Sequence, residues 1–370
     1  MHRPTVFLMA LGAAALTAPL GSARAENSIS YQTYKYVENN DRIKVVAGDL
    51  SIEKDFGLDL SARLELGVDA ISGATPSWRL KPGYVNEYQS GYVKVSDETR
   101  NSAGGGLTWR DARRNEYTFG LALSREPDFW SREFSGQAQI WQDESHNRSW
   151  TLGASLQLNT SVANANTNNK SNEDSRVYNV QAGVNQVLDA TSTLEASVYV
   201  ARSVGFLSHD YLKIVRDDGA GAHTLAFDSR PGTRNAGGFA LRWVKAWQPD
   251  LKSNLWYRYY SDSWGVTGQT VEAKLYWDIN EQWRLNPVLR YHSQRGADFY
   301  RAYDATVNTF AATGYGTNDA RQGPMKAVTG QLNVEYHADK QWTLNAGVVR
   351  YKQDTGLAAT WVTAGFVFKY

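Results

Sequence analysis

From residue 58 onward, neighbouring positions carry opposite chemistry. Leu58, Leu60, Ala62, Leu64, Leu66, Val68 and Ala70 share one parity, and Asp59, Ser61, Arg63, Glu65, Gly67 and Asp69 share the other. Successive residues of a strand point to opposite faces, so this stretch separates an apolar face from a polar one only when extended. A helix would scatter the same leucines around its circumference. The pattern returns along the chain, in Tyr117, Phe119, Leu121 and Leu123, in Trp150, Leu152, Ala154, Leu156 and Leu158, in Leu194, Ala196, Val198 and Val200, in Val271, Ala273, Leu275 and Trp277, and in Trp342, Leu344, Ala346 and Val348. Each run is one strand long, which makes the chain all-β.

A soluble sandwich also alternates, so the two faces need separate inspection. The polar face collects Arg63, Glu65, Glu116, Glu133, Glu195, Arg242, Arg258, Glu272, Lys274, Arg284, Arg290 and Glu335. These would suit either the wet side of a sheet or the lumen of a barrel. The aromatics favour the barrel. The chain has 13 Trp and 21 Tyr although its mean hydropathy is −0.50. Trp109 and Tyr117 flank a turn at 111–115, Trp141 and Trp150 flank one at 143–147, Trp247 precedes one ending at Asp250, Trp277 and Trp283 flank 278–282, and Tyr336 and Trp342 flank 338–340. Amphipathic rings beside short charged turns, repeatedly on one side, describe an interfacial girdle.

Connection lengths show the same polarity. The long polar stretches 73–98, 161–174, 205–232 and 296–324 all fall on one parity of connection, as outer-membrane barrels with short periplasmic turns and long outer loops require. Strands are expected near 28–37, 42–54, 58–71, 99–110, 115–125, 130–142, 148–160, 175–188, 192–204, 233–247, 250–262, 266–278, 281–295, 325–337, 341–352 and 359–370. The expectation is thus an antiparallel up-and-down transmembrane barrel of about 16 strands. Pro287 sits inside one of them, where it cannot donate to the ladder, and predicts a bulge or a locally broken pair.

The N-terminus has the form of an export signal: Arg3, an apolar run at 6–16, and Ala23-Arg24-Ala25 before Glu26. That run is shorter than the ~20 residues a membrane-crossing helix needs. Residues 1–25 are therefore expected to be a signal peptide and 26–370 the barrel. Pairing that begins soon after Glu26 leaves no room for a plug domain, which argues against energised uptake of large ligands.

The opening Ser30-Tyr31-Gln32-Thr33-Tyr34 through Glu38 to Arg42-Ile43-Lys44-Val45, together with Ser72-Gly73-Ala74-Thr75-Pro76, Thr99-Arg100-Asn101-Ser102, Gly106-Leu107-Thr108-Trp109-Arg110 and Asp143-Glu144-Ser145-His146-Asn147-Arg148, resembles an uncharacterised family of proteobacterial exported proteins carrying a domain-of-unknown-function label. The resemblance implies an outer-membrane barrel and a Gram-negative source. It brings no substrate and no catalytic residues.

A formal net charge of +1 provides no basic excess for nucleic acid. The absence of cysteine excludes thiolate metal sites, disulfides and c-type haem. His146, His209, His223, His292 and His337 show no metal-clamp spacing, and Asp210 beside His209 is the one local acid–histidine pair, its side chains pointing apart on an extended chain. Gly219-Ala220-Gly221 with Asp217 and Asp218 lacks the register of a calcium loop. No metal, cofactor or catalytic set is expected. The reading is a porin-like, non-enzymatic channel in outer-membrane lipid for passive diffusion of small hydrophilic solutes, the charged polar-face residues lining it. Its alternatives are a closed barrel whose long loops bind a protein partner or a second copy, and, behind that, an outer-membrane hydrolase. Loop 296–324 reads equally as folding inward over the opening or as a surface hairpin.

Overall fold

The computed structural model describes residues 27–40, 42–85, 87–163, 171–209, 211–303 and 309–370, so the expected signal peptide lies outside the described residues. The strands are β1 (Ser28–Glu38), β2 (Ile43–Phe56), β3 (Leu60–Leu80), β4 (Tyr88–Arg110), β5 (Glu116–Arg125), β6 (Phe129–Trp141), β7 (Arg148–Ala163), β8 (Ser171–Asp189), β9 (Ser192–Gly205), β10 (Lys213–Asp217), β11 (His223–Phe227), β12 (Thr233–Gln248), β13 (Leu251–Asp262), β14 (Thr267–Asp278), β15 (Trp283–Arg295), β16 (Phe310–Ala311), β17 (Met325–His337), β18 (Trp342–Gln353) and β19 (Ala358–Lys369). Sixteen of them form one closed barrel, and β10, β11 and β16 form a small separate sheet. Each wall strand is antiparallel to its neighbours, and β1 closes the ring on β19 from Ser28↔Lys369 to Glu38↔Ala359.

The alternation has a direct physical outcome. Leu64, Val68, Phe119, Leu121, Val200 and Leu289 are all exposed, several by more than half, and they lie on the outer wall. Their sequence neighbours point inward. An apolar belt without a protein partner is stable only against hydrocarbon. No helix among the described residues is long and apolar enough to cross a membrane, so the strands present that surface.

The rim carrying both termini has short turns built on a repeated device. Asp111, Asp143, Asp189, Asn280 and Asp339 each accept the backbone N–H two residues on, the side-chain-closed turn for which Asp and Asn are favoured. The opposite rim departs from expectation in three places. Stretch 73–98 is mostly strand: β2 stops pairing at Gly73 and β5 at Asn101, beyond which β3 and β4 pair only with each other. This hairpin stands clear of the wall, and without a lipid face nothing imposes clean alternation on it. Stretch 205–232 contains the β10–β11 hairpin, and 296–324 contains β16 and a 3-10 turn, Ala320–Gln322.

Where the hairpin leaves the wall the β3–β4 register shifts between Ile71 and Gly73. Gly73 has φ 127°, and a Cβ there would lie 1.8 Å from the Arg42 carbonyl oxygen. Only glycine fits. Pro287 stays paired with Leu332 of β17 but interrupts the β14–β15 ladder without a register shift. It is a locally broken pair, one of the two outcomes foreseen.

Candidate functional site: lumen and mouth

Charges on the interior face meet across neighbouring strands at the same register. Glu195 lies opposite Arg242, with oxygen and nitrogen 3.2 Å apart. Glu272 lies opposite Arg290 at 4.0 Å. Arg284 sits between Asp278 and Glu335, bonding the first at 3.1 Å and approaching the second to 3.7 Å. Arg63 contacts Glu65 and, across the ladder, Glu53 at 3.5 Å. Of the remaining residues foreseen on this face, Glu116 accepts from Arg110 at 2.7 Å, Arg258 donates to the Tyr199 hydroxyl at 2.9 Å, Lys274 lies 4.4 Å over the Tyr276 ring, and Glu133 bonds Ser155. Arg242 and Glu195 remain 21% and 27% exposed, Arg290 and Glu272 44% and 30%. The interior around them is not packed solid.

The foreseen aromatics gather at the terminal rim, on the outer wall, except Trp141, which lies on the inward parity beside exposed Ile140 and donates its indole N–H to the Arg114 carbonyl at 3.1 Å. Trp109, Trp150, Trp247, Trp277, Trp283 and Trp342 are exposed. Trp109 stacks on Tyr117 at 5.2 Å, and Trp283 contacts Tyr336 at 4.7 Å. Phe366 and Phe368 extend the row beside Trp342.

The mouth at the other rim is covered. The segment joining β9 to β12 starts on one side of the ring, yet its Tyr211 packs against Ile43, Val45 and Ile71, with Tyr34 and Tyr36, on the inner face of β1–β3. Those strands are the opposite wall. The Tyr211 hydroxyl donates to Asp128, in the β5–β6 connection. Behind Tyr211 a cavity of about 280 Å³ is lined by Trp78, Leu80, Lys213, Leu225 and Phe227. The β15–β17 segment lies on top: β16 pairs with β10 in parallel, Trp78 donates to Asn318 at 3.0 Å, and Arg230 joins Asp228 at 2.8 Å to Asp319 at 3.0 Å. Thr317, Asn318 and Asp319 are fully buried. Among the described residues, loop 296–324 therefore packs against the β9–β12 loop over the opening and does not stand free as a surface hairpin. A further group, Trp264, Val266 and Ala297 with Leu207 and Phe299, binds the β13–β14 connection into the same cover.

Electrostatics hold this cover in one protonation state. Burial, then the charges of Arg321 and Arg230, keeps the His209 imidazole well below its ordinary pKa, against the opposing pull of Asp319. For Asp319 burial would raise the pKa, but Arg321 and Arg230 hold it well below the carboxylate range. Asp210 lies outside the described residues. His292 bonds Thr270 at 2.9 Å and His337 bonds Thr343 at 3.0 Å, each without a hydrogen-bonded carboxylate among the described residues. Glu98, Glu126 and Asp128, the last of them the acceptor of Tyr211, bring one oxygen each within 4.8 Å of one another, a grouping that strand β4 and the β5–β6 connection create together and no local motif announces.

A closed, evenly stranded antiparallel barrel with an apolar outer belt, an aromatic row at one rim, a charged interior and a loop-covered second rim is a barrel of the outer-membrane class. The profile of the family described as "Protein of unknown function (DUF3570)" matches residues 4–367, and the chain belongs to that family. No curated protein matches the sequence. Among solved structures it is similar to the siderophore receptor PirA from Pseudomonas aeruginosa, at 9% identity and TM-score 0.44 over 90% of this chain and 57% of that one. It is also similar to a variant of the ferric enterobactin receptor PfeA from Pseudomonas aeruginosa in complex with enterobactin, at 12% and 0.45 over 90% and 55%, and to CdiB from Acinetobacter baumannii, at 9% and 0.48 over 94% and 61%. The chain thus spans 55–61% of the length of these proteins.

Proposed function

We propose that the protein is a porin-like, non-enzymatic channel of the outer membrane, through which small hydrophilic solutes diffuse passively and whose mouth is narrowed by the β9–β12 loop. The observation that supports this reading is the incomplete packing of the interior: paired charges on the inner face stay a fifth to almost half exposed, and a ring of this strand number leaves room for water between opposite walls. In this reading Arg63, Glu65, Glu195, Arg242, Glu272 and Arg290 set selectivity along the lumen. The tryptophan row marks the membrane interface nearer the termini.

A second reading, a closed barrel that works through its loops, is favoured by the passage of Tyr211 to the opposite wall and the burial of Thr317–Asp319 above it. Recording from purified protein in planar bilayers separates the two. The channel reading expects discrete ohmic conductance from the native protein, and larger conductance once residues 206–231 are replaced by a short Gly-Ser link. A silent native protein with a conducting trimmed one selects the closed reading. Silence from both, under conditions where a general porin conducts, overturns the channel reading.

A further inference from the structure

Outer-wall positions toward the loop-side end carry cations on four of the five consecutive strands from β2 to β17, β19 offering Thr360 between them. Following the register from β2 to β18, Lys44 lies opposite Val37, Val37 opposite Thr360, and Thr360 opposite Arg350, which donates to the Thr360 hydroxyl at 2.6 Å. Lys35 lies two residues nearer the termini than Val37 and Lys352 two residues nearer the loops than Arg350. Lys326, on β17, is two residues beyond Val328, the partner of Lys352. All five are exposed. The outward positions of β1, β2 and β17–β19 hold no Asp or Glu, and Asp354, in the turn above, takes the backbone N–H of Lys326.

Depth makes the arrangement informative. Trp342, in the aromatic row, is eight residues from Arg350 and ten from Lys352 on the same strand. At roughly 3.3 Å per residue and a tilt of about 40°, those spans correspond to about 20 and 25 Å along the barrel axis, the height of the apolar band of such barrels. Between them lie exposed Val348, Val362 and Val46. Arg350, Lys352 and Lys326, with Lys44 level with Arg350, therefore stand where hydrocarbon gives way to headgroups on the wall facing lipid. Lys35, level with Val46 and Val362, lies one step below them with a side chain long enough to reach the same boundary. Arg125, Arg176 and Arg202 also lie outward on other strands, but there the exposed Asp174 shares the outer face two residues from Arg176, so the carboxylate-free cluster is confined to the arc from β2 to β17.

We infer that this arc of the rim binds the phosphate groups of phosphorylated membrane lipid, with Lys35, Lys44, Arg350 and Lys352 as the main cluster. Cations at a hydrocarbon edge with no carboxylate on their own face are matched by headgroup anions held at the same depth. The inference also orients the barrel, placing the covered mouth on the side of the more anionic leaflet. It rests on the membrane reading of the fold.

The test uses the refolded full barrel in neutral detergent, its unfolding followed by heat-modifiable gel mobility. Lipid A is the probe, with phosphate-free lipid A and inorganic phosphate in parallel, and insertion into phosphatidylcholine vesicles is measured separately. Lipid A is expected to raise the unfolding midpoint by several degrees while phosphate-free lipid A does not. The variant carrying Lys35→Gln, Lys44→Gln, Arg350→Gln and Lys352→Gln is expected to bind lipid A at least about tenfold more weakly. The milder pair Lys35→Gln and Lys352→Gln should lose part of the shift, which keeps the test open if the fourfold variant fails to refold. An equal response to phosphate-free lipid A, to inorganic phosphate, or in the variants overturns the inference. Failure to enter phosphatidylcholine vesicles at all would instead overturn the membrane reading.

Discussion

Tyr211 donates its hydroxyl hydrogen to Asp128 across the mouth of the barrel, from a loop rooted in β9 and β12 to a connection between β5 and β6. Asp128 is 5% exposed, so the bond joins a buried carboxylate to a loop that has no covalent reason to be there. Tyr211→Phe keeps the ring among Ile43, Val45 and Ile71 and removes only the donor. A hydrogen bond to a charged group contributes about 1.5–3 kcal/mol, so local opening of the loop should become about ten- to a hundredfold more frequent. Hydrogen exchange by mass spectrometry should show faster exchange over 206–232 and unchanged exchange in the wall strands. Equal exchange in the loop would mean that the apolar contacts alone retain it.

His209 makes the same loop sensitive to acid. Its imidazole is neutral in the folded loop because burial, Arg321 and Arg230 all oppose a proton there. The released loop binds protons with the ordinary value of 6.5. The folded pKa is the lower, so this contribution to loop closure is complete above about 6.5 and declines as pH falls below it, by about tenfold in the opening equilibrium per pH unit. The absence of native cysteine permits a clean spin-label pair at Ala220→Cys and Thr355→Cys. The distance distribution should broaden between pH 7.5 and pH 5.5, and His209→Gln should flatten the dependence. A distribution indifferent to pH in the native loop would contradict the sign argued here.

The interior pair Glu195 and Arg242 should matter for ions more than for stability. Both side chains are over a fifth exposed, so screening holds the pair to about 0.2–1 kcal/mol. Glu195→Gln removes the carboxylate charge opposite Arg242 and should shift reversal potentials toward anions, whereas Arg242→Gln should shift them toward cations. The double variant should return near the native value with a melting midpoint little changed. Identical reversal potentials in all four proteins would remove these residues from the permeation path.

The wall was legible in the sequence because lipid on one side and water on the other force a period of two on every strand, and alternation survives in residues such as Leu64, Glu65 and Leu66. Strand ends near the terminal rim were legible for a related reason: Asp and Asn close the turns, and tryptophans mark the boundary. The β3–β4 hairpin was read as loop because above Gly73 neither face meets lipid. The mouth was the least readable part. Tyr211, Arg230 and Asp319 come together through contacts among three connections, with no periodicity to betray which long segment folds inward. Ile43, Val45 and Ile71 did leave a trace, apolar residues on a parity that is charged lower in the same strands, and such an inversion marks a place where the interior receives a loop.

Adjacent residues of β15 provide the sharpest test of the fold's orientation. Leu289 is 61% exposed near the middle of the strand, opposite Ala273 and Gly330. Val288 lies opposite Lys274 and Gln331, on the interior side. Arginine at Leu289 would be held in hydrocarbon near mid-depth and should cost about 2–4 kcal/mol. Arginine at Val288 would enter a wet interior beside Lys274, where like-charge repulsion across the ladder costs about 1 kcal/mol or less. Reversible folding into vesicles should therefore show a large loss for Leu289→Arg and a small one for Val288→Arg. In a detergent-free aqueous state the order would reverse, because Leu289 would then be an exposed position tolerant of charge, so the ranking of two neighbouring substitutions decides which face of the wall meets lipid.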